Sequence, residues 1–244
     1  MTIQRYTYHT TVSYSDVAPD GKMSFGGLLR ILQETACIAS DLCGFGIKDI
    51  PTKGLHWILM GWRAEFFHRP GWNEPISVET WPRTMEGFAS DRDFLVYAGD
   101  TPVARATSRW YLLSAVTGKL TRVTDDVRAC YPIEEETVFD EPLPGNGKSL
   151  PQAEETFSTP VCRRDIDTNS HVNNLRYLDY ALEALPQTVY DDLPNRVEII
   201  YRKQILPGTT VRCLYGLTEE GVHQVEICSG EGDKPTRHAY VRFY

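Results

Sequence analysis

Apolar and polar positions alternate along residues 5–14, in a run rich in β-branched and aromatic residues, and predict a strand. A turn with Pro19, Asp20 and Gly21 follows. From Ser24 the spacing changes. Leu28, Leu29, Ile31, Leu32, Ala36 and Ala39 recur at helical intervals, and Cys43-Gly44 ends the run. Strands are predicted at 55–67, 75–82, 87–98, 102–113 and 119–123, with a hairpin at Ala98-Gly-Asp-Thr101. Residues 134–154 have no periodicity. They are acidic, then rich in Pro and Gly (Pro142, Pro144, Gly145, Gly147, Pro151), and are read as a linker. The pattern then restarts, with a short strand at 155–162, a helix running to about Leu185, and strands near 195–206, 209–217, 221–228 and 235–244.

The order strand, helix, then four or five antiparallel strands thus occurs twice, in 1–133 and 155–244. Asp16, Asp20 and Glu34 match Asp165, Asn169 and Glu183 at an offset of 149. Pro70-Gly71 and Pro207-Gly208 suggest 137, and Arg105-Ala106 with His238-Ala239 suggest 133, as if the second copy had shorter loops. A helix apolar over much of its surface needs covering, and one curved sheet per helix would do it. The expected class is α+β.

The two copies differ at one place. Arg164 to Glu183 begins with Asp165, Asp167, Asn169, His171, Asn173 and Asn174, and continues into the helical spacing of Leu175, Leu178, Ala181 and Leu182. At the offset of 149 the first copy has Ala18 for Asp167, Lys22 for His171 and Ser24 for Asn173. Helix N-termini present unpaired N–H groups and a partial positive charge. A carboxylate, an imidazole and a helix end could converge here on one substrate atom. The alternative is an Asx-rich turn that caps a core helix. In either case the first copy is available for another task, such as holding a substrate tail.

Composition narrows the classes. A net charge of −8 argues against general nucleic-acid binding. Arg163-Arg164 and Arg202-Lys203 are local basic clusters that an acidic protein partner could meet. No run approaches the roughly 18 apolar residues of a membrane helix. The first residues have no secretory-type apolar stretch, so a cytoplasmic location is expected. Six scattered cysteines show no metal-ligand spacing, and neither a metal nor a cofactor is expected.

Several segments, spread over nearly the whole chain, resemble the acyl-ACP thioesterases, the family of the plant fatty-acyl-ACP thioesterases and their bacterial relatives. They are Leu32-Gln-Glu-Thr-Ala36, Trp57 to Trp62 with Arg69-Pro-Gly-Trp72, Arg92-Asp-Phe-Leu-Val96, Ala104-Arg-Ala-Thr-Ser-Arg-Trp110, and Asp167-Thr-Asn-Ser-His-Val-Asn-Asn174. The resemblance implies a tandem (double) hot-dog fold, each half an antiparallel sheet wrapped around a long helix. It implies hydrolysis of fatty acyl-ACP in fatty acid biosynthesis, with acyl carrier protein as partner and Asp167, Asn169 and His171 as catalytic residues. The family's Glu-Cys pair, expected on the strand after the second helix, falls on Gln204 and Ile205. Isoleucine has no nucleophilic group. Gln204 can orient a water but cannot act as a base. Water activated by Asp167 or His171, or direct attack by Asp167, are the remaining routes, with the oxyanion against N–H groups of Val172, Asn173 and Asn174. Leu32 and Trp57 are candidates for an acyl pocket, and Arg163, Arg164, Arg202 and Lys203 for carrier-protein contacts. Acyl-CoA hydrolysis and non-catalytic acyl-thioester binding are the alternatives. Monomer and homodimer are both open.

Overall fold

Ser24 opens the first long helix as expected. Its side chain accepts the N–H of Gly27, and α1 runs Phe25–Leu42 with Leu28, Leu29, Ile31, Leu32, Thr35, Ala36 and Ala39 buried. In the computed structural model, which describes residues 4–230, 232 and 235–244, two units divide after Leu143. The first contains β1 (Tyr6–Thr11), α1, α2 (Ile50–Lys53), β2 (Leu55–Phe66), β3 (Pro75–Pro82), β4 (Ala89–Ala98), β5 (Thr101–Ser114) and α3 (Asp125–Cys130). Its antiparallel sheet has the order β1-β3-β4-β5-β2. Trp62, Trp81 and Phe94 are among its fully buried side chains.

The second unit contains β6 (Glu154–Pro160), α4 (Asn174–Glu183), α5 (Gln187–Asp191), β7 (Arg196–Tyr201), β8 (Thr210–Leu217), β9 (His223–Ser229) and β10 (Thr236–Phe243). Its sheet order, β6-β8-β9-β10-β7, repeats the first. Among the described residues no helix is long and apolar enough to cross a membrane.

Backbone pairing corrects the offsets of the repeat. Thr11 pairs with Pro75 and Pro160 with Thr210, which keeps 149 for the first strand but makes the later offset 135. Phe66 pairs with Ala104 and Tyr201 with Ala239, again 135 apart. The two Pro-Gly dipeptides are therefore not equivalent. Asn73 (φ 61°) corresponds to Gly208 (φ 79°), two residues later in the turn, where both chains take the left-handed conformation.

Two other expectations change. Residues 119–123 form one isolated bridge, Leu113 with Leu120, and no strand. Thr124 instead caps α3, with Asp125 and Asp126 favourably placed in its first turn. The segment read as a linker is irregular but packed. Val138, Phe139 and Leu143 are buried, and the carbonyl of Glu136 accepts from Trp81 Nε1 at 3.0 Å. On the second unit, the carbonyl of Lys148 accepts from Gln224, and a Cβ at Gly147 would lie 2.1 Å from the ring of Tyr240. The missing periodicity reflects extended chain anchored residue by residue.

Candidate active site

The polar stretch before α4 folds as a tight loop. Ile166 and Val172 bridge, Asp167 N–H donates to the His171 carbonyl at 2.9 Å, and Ser170 N–H donates to the Asp167 carbonyl at 3.1 Å. Asp167 Oδ1 accepts the Asn169 N–H at 2.8 Å, an Asx turn, and Ser170 takes φ 62°. The first unit makes the same loop from Ala18 to Lys22, with Gly21 at φ 74° where Ser170 stands. The scaffold is thus common to both copies, and the acid and imidazole are additions of the second.

Those two side chains meet. His171 Nδ1 lies 3.7 Å from Asp167 Oδ1 and 3.2 Å from the carbonyl oxygen of Val172. A carbonyl can only accept, so this contact needs the proton on Nδ1. Neutral His171 then carries its lone pair on Nε2, the form of a general base. Both side chains are about four-fifths buried, at 23% and 18% exposure, so each keeps some access to solvent. Asn169 is exposed.

The helix end offers less than expected. Val172 N–H donates to the Ile205 carbonyl at 2.9 Å, and Asn173 N–H to the Asp165 carbonyl at 2.8 Å. Both are therefore occupied, which removes them as oxyanion donors. Asn173 caps α4 by accepting the Leu175 N–H. The Asn174 N–H has no acceptor among the described residues and is the remaining donor.

Gln204 does not lie on a strand. β7 ends at Tyr201 because the N–H groups of Arg202 and Lys203 both turn to the His238 carbonyl, at 2.8 and 3.3 Å. The chain then reaches the loop, where the Ile205 carbonyl holds Val172. Buried Tyr177 of α4 locks this crossing. Its hydroxyl accepts the Ile205 N–H at 3.1 Å and reaches the Lys203 carbonyl at 3.5 Å. Gln204 is exposed next to buried Ile205. In the first unit the corresponding positions are Arg69 and Asp20, whose partners in the second are Gln204 and Asn169. There they form an ion pair at 2.8 Å, and Arg69 also binds the carbonyls of Met23 and Lys22. Arg163, Arg164, Arg202 and Lys203 are all exposed. Cys162 does not join the pair: its N–H caps Asp165 at 2.8 Å and its thiol points to the Pro160 carbonyl.

The model of the acyl-ACP thioesterase N-terminal domain matches residues 4–131, and that of the C-terminal domain matches 148–240. The chain belongs to the acyl-ACP thioesterase family. Within that family, the oleoyl-acyl carrier protein thioesterase 2 of Arabidopsis thaliana chloroplasts is 30% identical over 195 residues, 72% of this chain and 53% of the relative. A chloroplastic palmitoyl-acyl carrier protein thioesterase of Gossypium hirsutum is 27% identical over 203 residues, 76% of this chain and 48% of the relative. The chain spans about half the length of the curated relatives it matches. An acyl-ACP thioesterase from Bacteroides thetaiotaomicron superposes with a TM-score of 0.84 at 24% identity, covering 98% of each chain. The 12:0-ACP thioesterase from Umbellularia californica does so at 0.84 and 20%, covering 98% of this chain and 96% of that one. The fold is the α+β double hot-dog of these structures.

The first unit of this thioesterase-family chain contains a hollow. A cavity of about 90 Å³ is lined by Trp57, Met85, Trp110, His56, Arg92 and Tyr131, among others. That is several times the roughly 10–15 Å³ one water needs. Trp57 lies on its wall, whereas Leu32 is fully buried in α1 and is not part of the lining. Sequence reasoning missed Tyr177, Tyr131 and the orientation of Arg92. A tyrosine on the apolar face of a predicted helix is a signal for the first, because a buried hydroxyl needs a partner.

Proposed function

We propose that this chain hydrolyses fatty acyl-ACP to free fatty acid and carrier protein, in the cytoplasm and within fatty acid biosynthesis. The observation that carries the reading is the His171–Asp167 pair on a loop that the first unit reproduces without either residue. Family membership and the names of the relatives support the substrate class.

In the proposed reaction His171 Nε2 takes a proton from water. The water oxygen bonds to the thioester carbonyl carbon. The carbonyl oxygen gains the negative charge and is met by the Asn174 N–H. Asp167 stabilises the imidazolium. The intermediate collapses with cleavage of the C–S bond, and the thiolate leaves with the proton from His171. The exposed amides of Asn169 and Gln204 orient the water. The cavity of the first unit takes the acyl chain, with Trp57 on its wall. Arg163, Arg164, Arg202 and Lys203 suit an acidic carrier protein.

The test is thiol release from an acyl-ACP chain-length series, with the matching acyl-CoA esters beside it. Release from ACP esters at higher kcat/KM supports the proposal. Faster turnover of the CoA esters moves the partner to CoA. The amide at position 204 favours one other reading, a protein that binds acyl thioesters without cleaving them. Binding with no thiol released, and hydrolysis gained in Gln204→Glu, would establish that reading.

A further inference from the structure

The cavity of the first unit is apolar on most of its wall but contains one buried cation. Arg92 is 7% exposed and lies in the lining. Its neighbours Asp91 and Asp93 do not serve it. Along β4 successive side chains point to opposite faces. Asp91 pairs with Arg83 at 3.0 Å and Arg109 at 2.7 Å, and Asp93 lies 3.5 Å from Arg83. Arg92, between them, points the other way. Its guanidinium donates to Thr80 Oγ1 from Nη1 at 3.2 Å, and among the described residues no carboxylate pairs with it. The Nε–Nη2 edge is left without a partner among the described residues.

Three other polar side chains of the lining, Ser40, Tyr131 and Trp57, satisfy one another. Ser40 donates to the Phe45 carbonyl at 3.0 Å, the Tyr131 hydroxyl contacts Ser40, and Trp57 Nε1 donates to Tyr131 at 3.2 Å. With the Ser40 proton on Phe45, the Tyr131 proton must go to Ser40, so this chain of bonds is closed. What the cavity still offers is a charged, two-pronged donor. A buried guanidinium without a counter-charge is costly unless something accepts from it. A plain hydrocarbon chain cannot.

We propose that Arg92 is a specificity-determining residue, and that the cavity takes an acyl chain carrying a hydrogen-bond-accepting oxygen away from the thioester, as in hydroxy- or carboxy-acyl groups. The proposal rests on the reading of the chain as an acyl-thioester hydrolase and names the substrate class within it. A carboxylate would use both prongs of the free edge, and a hydroxyl one of them. His56, which also lines the cavity, has a buried Nδ1 without a partner among the described residues, a second polar atom for the same oxygen-bearing chain.

The experiment compares kcat/KM for chain-matched acyl-ACP esters that are unsubstituted, hydroxylated or carboxylated at a series of distal carbons. For at least one position the oxygenated ester should be preferred about tenfold or more. Arg92→Met should bring that ratio close to one. A wild-type preference for the unsubstituted ester at every position overturns the proposal, as does a ratio that Arg92→Met leaves unchanged. If Arg92→Met does not fold, the wild-type series decides alone. If no ester releases thiol, the hydrolase reading fails separately. Calorimetric titration with S-alkyl pantetheine thioethers, with and without the distal oxygen, then decides the Arg92 proposal. Equal affinity for the two would overturn it.

Discussion

His171 and Asp167 face each other across a single turn, Nδ1 to Oδ1 at 3.7 Å, while the same Nδ1 lies 3.2 Å from the Val172 carbonyl. The imidazole is thus held by its Nδ1 edge, and Nε2 is the nitrogen left for proton transfer. His171→Ala should lower kcat/KM on the best thioester by about 10²–10⁴, the usual worth of a general base. Asp167→Asn keeps an oxygen for the Asn169 N–H and so keeps the turn, but it removes the charge opposite the imidazole. A smaller loss, roughly 10–10³, is expected. Steady-state thiol release measures both, and wild-type rates in either variant would remove that residue from the mechanism.

Tyr177 ties the helix to the crossing that carries Gln204. Tyr177→Phe leaves the buried Ile205 N–H without its acceptor. Stranding such a group costs about 1–3 kcal/mol. For a chain of this size each 1 kcal/mol shifts Tm by roughly 2–4 °C. Calorimetry should therefore show a lower Tm, and turnover should fall with it because residues 203–205 lose their anchor. An unchanged Tm would mean that the hydroxyl contributes nothing there.

Stability should fall in mild acid. His238 is buried between the Lys203 carbonyl, 3.0 Å from Nδ1, and Ser229 Oγ, 2.7 Å from Nε2. Burial lowers its pKa below the ordinary 6.5. The unfolded chain then binds the proton more readily than the folded one. The stabilisation is complete above pH 6.5, and is lost as pH falls from there through the lower folded value. Denaturant unfolding across pH 5–8 measures this. His238→Gln should flatten the slope in that window, and a slope as steep as wild type would assign the acid sensitivity to other groups.

The ion pair of Asp20 and Arg69 suggests a way to close the second mouth. Asn169→Asp together with Gln204→Arg would copy that pair. Turnover should drop by about 10-fold or more while Tm stays within a few degrees, since both positions are exposed. Retained turnover in the double variant would mean that substrate does not approach between these two side chains.

Local pattern carried most of the elements. Ser24 and Asn173 announce their helices because a cap is a short-range bond, and residues 75–82 alternate because one strand face is buried. What the pattern could not show depends on partners distant in sequence. Val172 and Asn173 looked like open donors at a helix end, but Val172 is answered by Ile205, 33 residues on. The two Pro-Gly dipeptides suggested an equivalence that strand pairing moves by two residues. Arg92 reads as an ordinary charge in a polar strand. Its isolation follows from Asp91 and Asp93 being engaged on the opposite face by Arg83 and Arg109.

The loop of the first unit keeps every backbone bond of the catalytic-type loop and lacks its chemistry. Ala18 and Lys22 stand at the positions of Asp167 and His171, on a turn already shaped by Gly21. The chain therefore contains its own blank socket. Among the side chains that differ between that socket and the wired one are those at 18, 20, 22 and 69, and the duplicated scaffold leaves open the design of a protein with two.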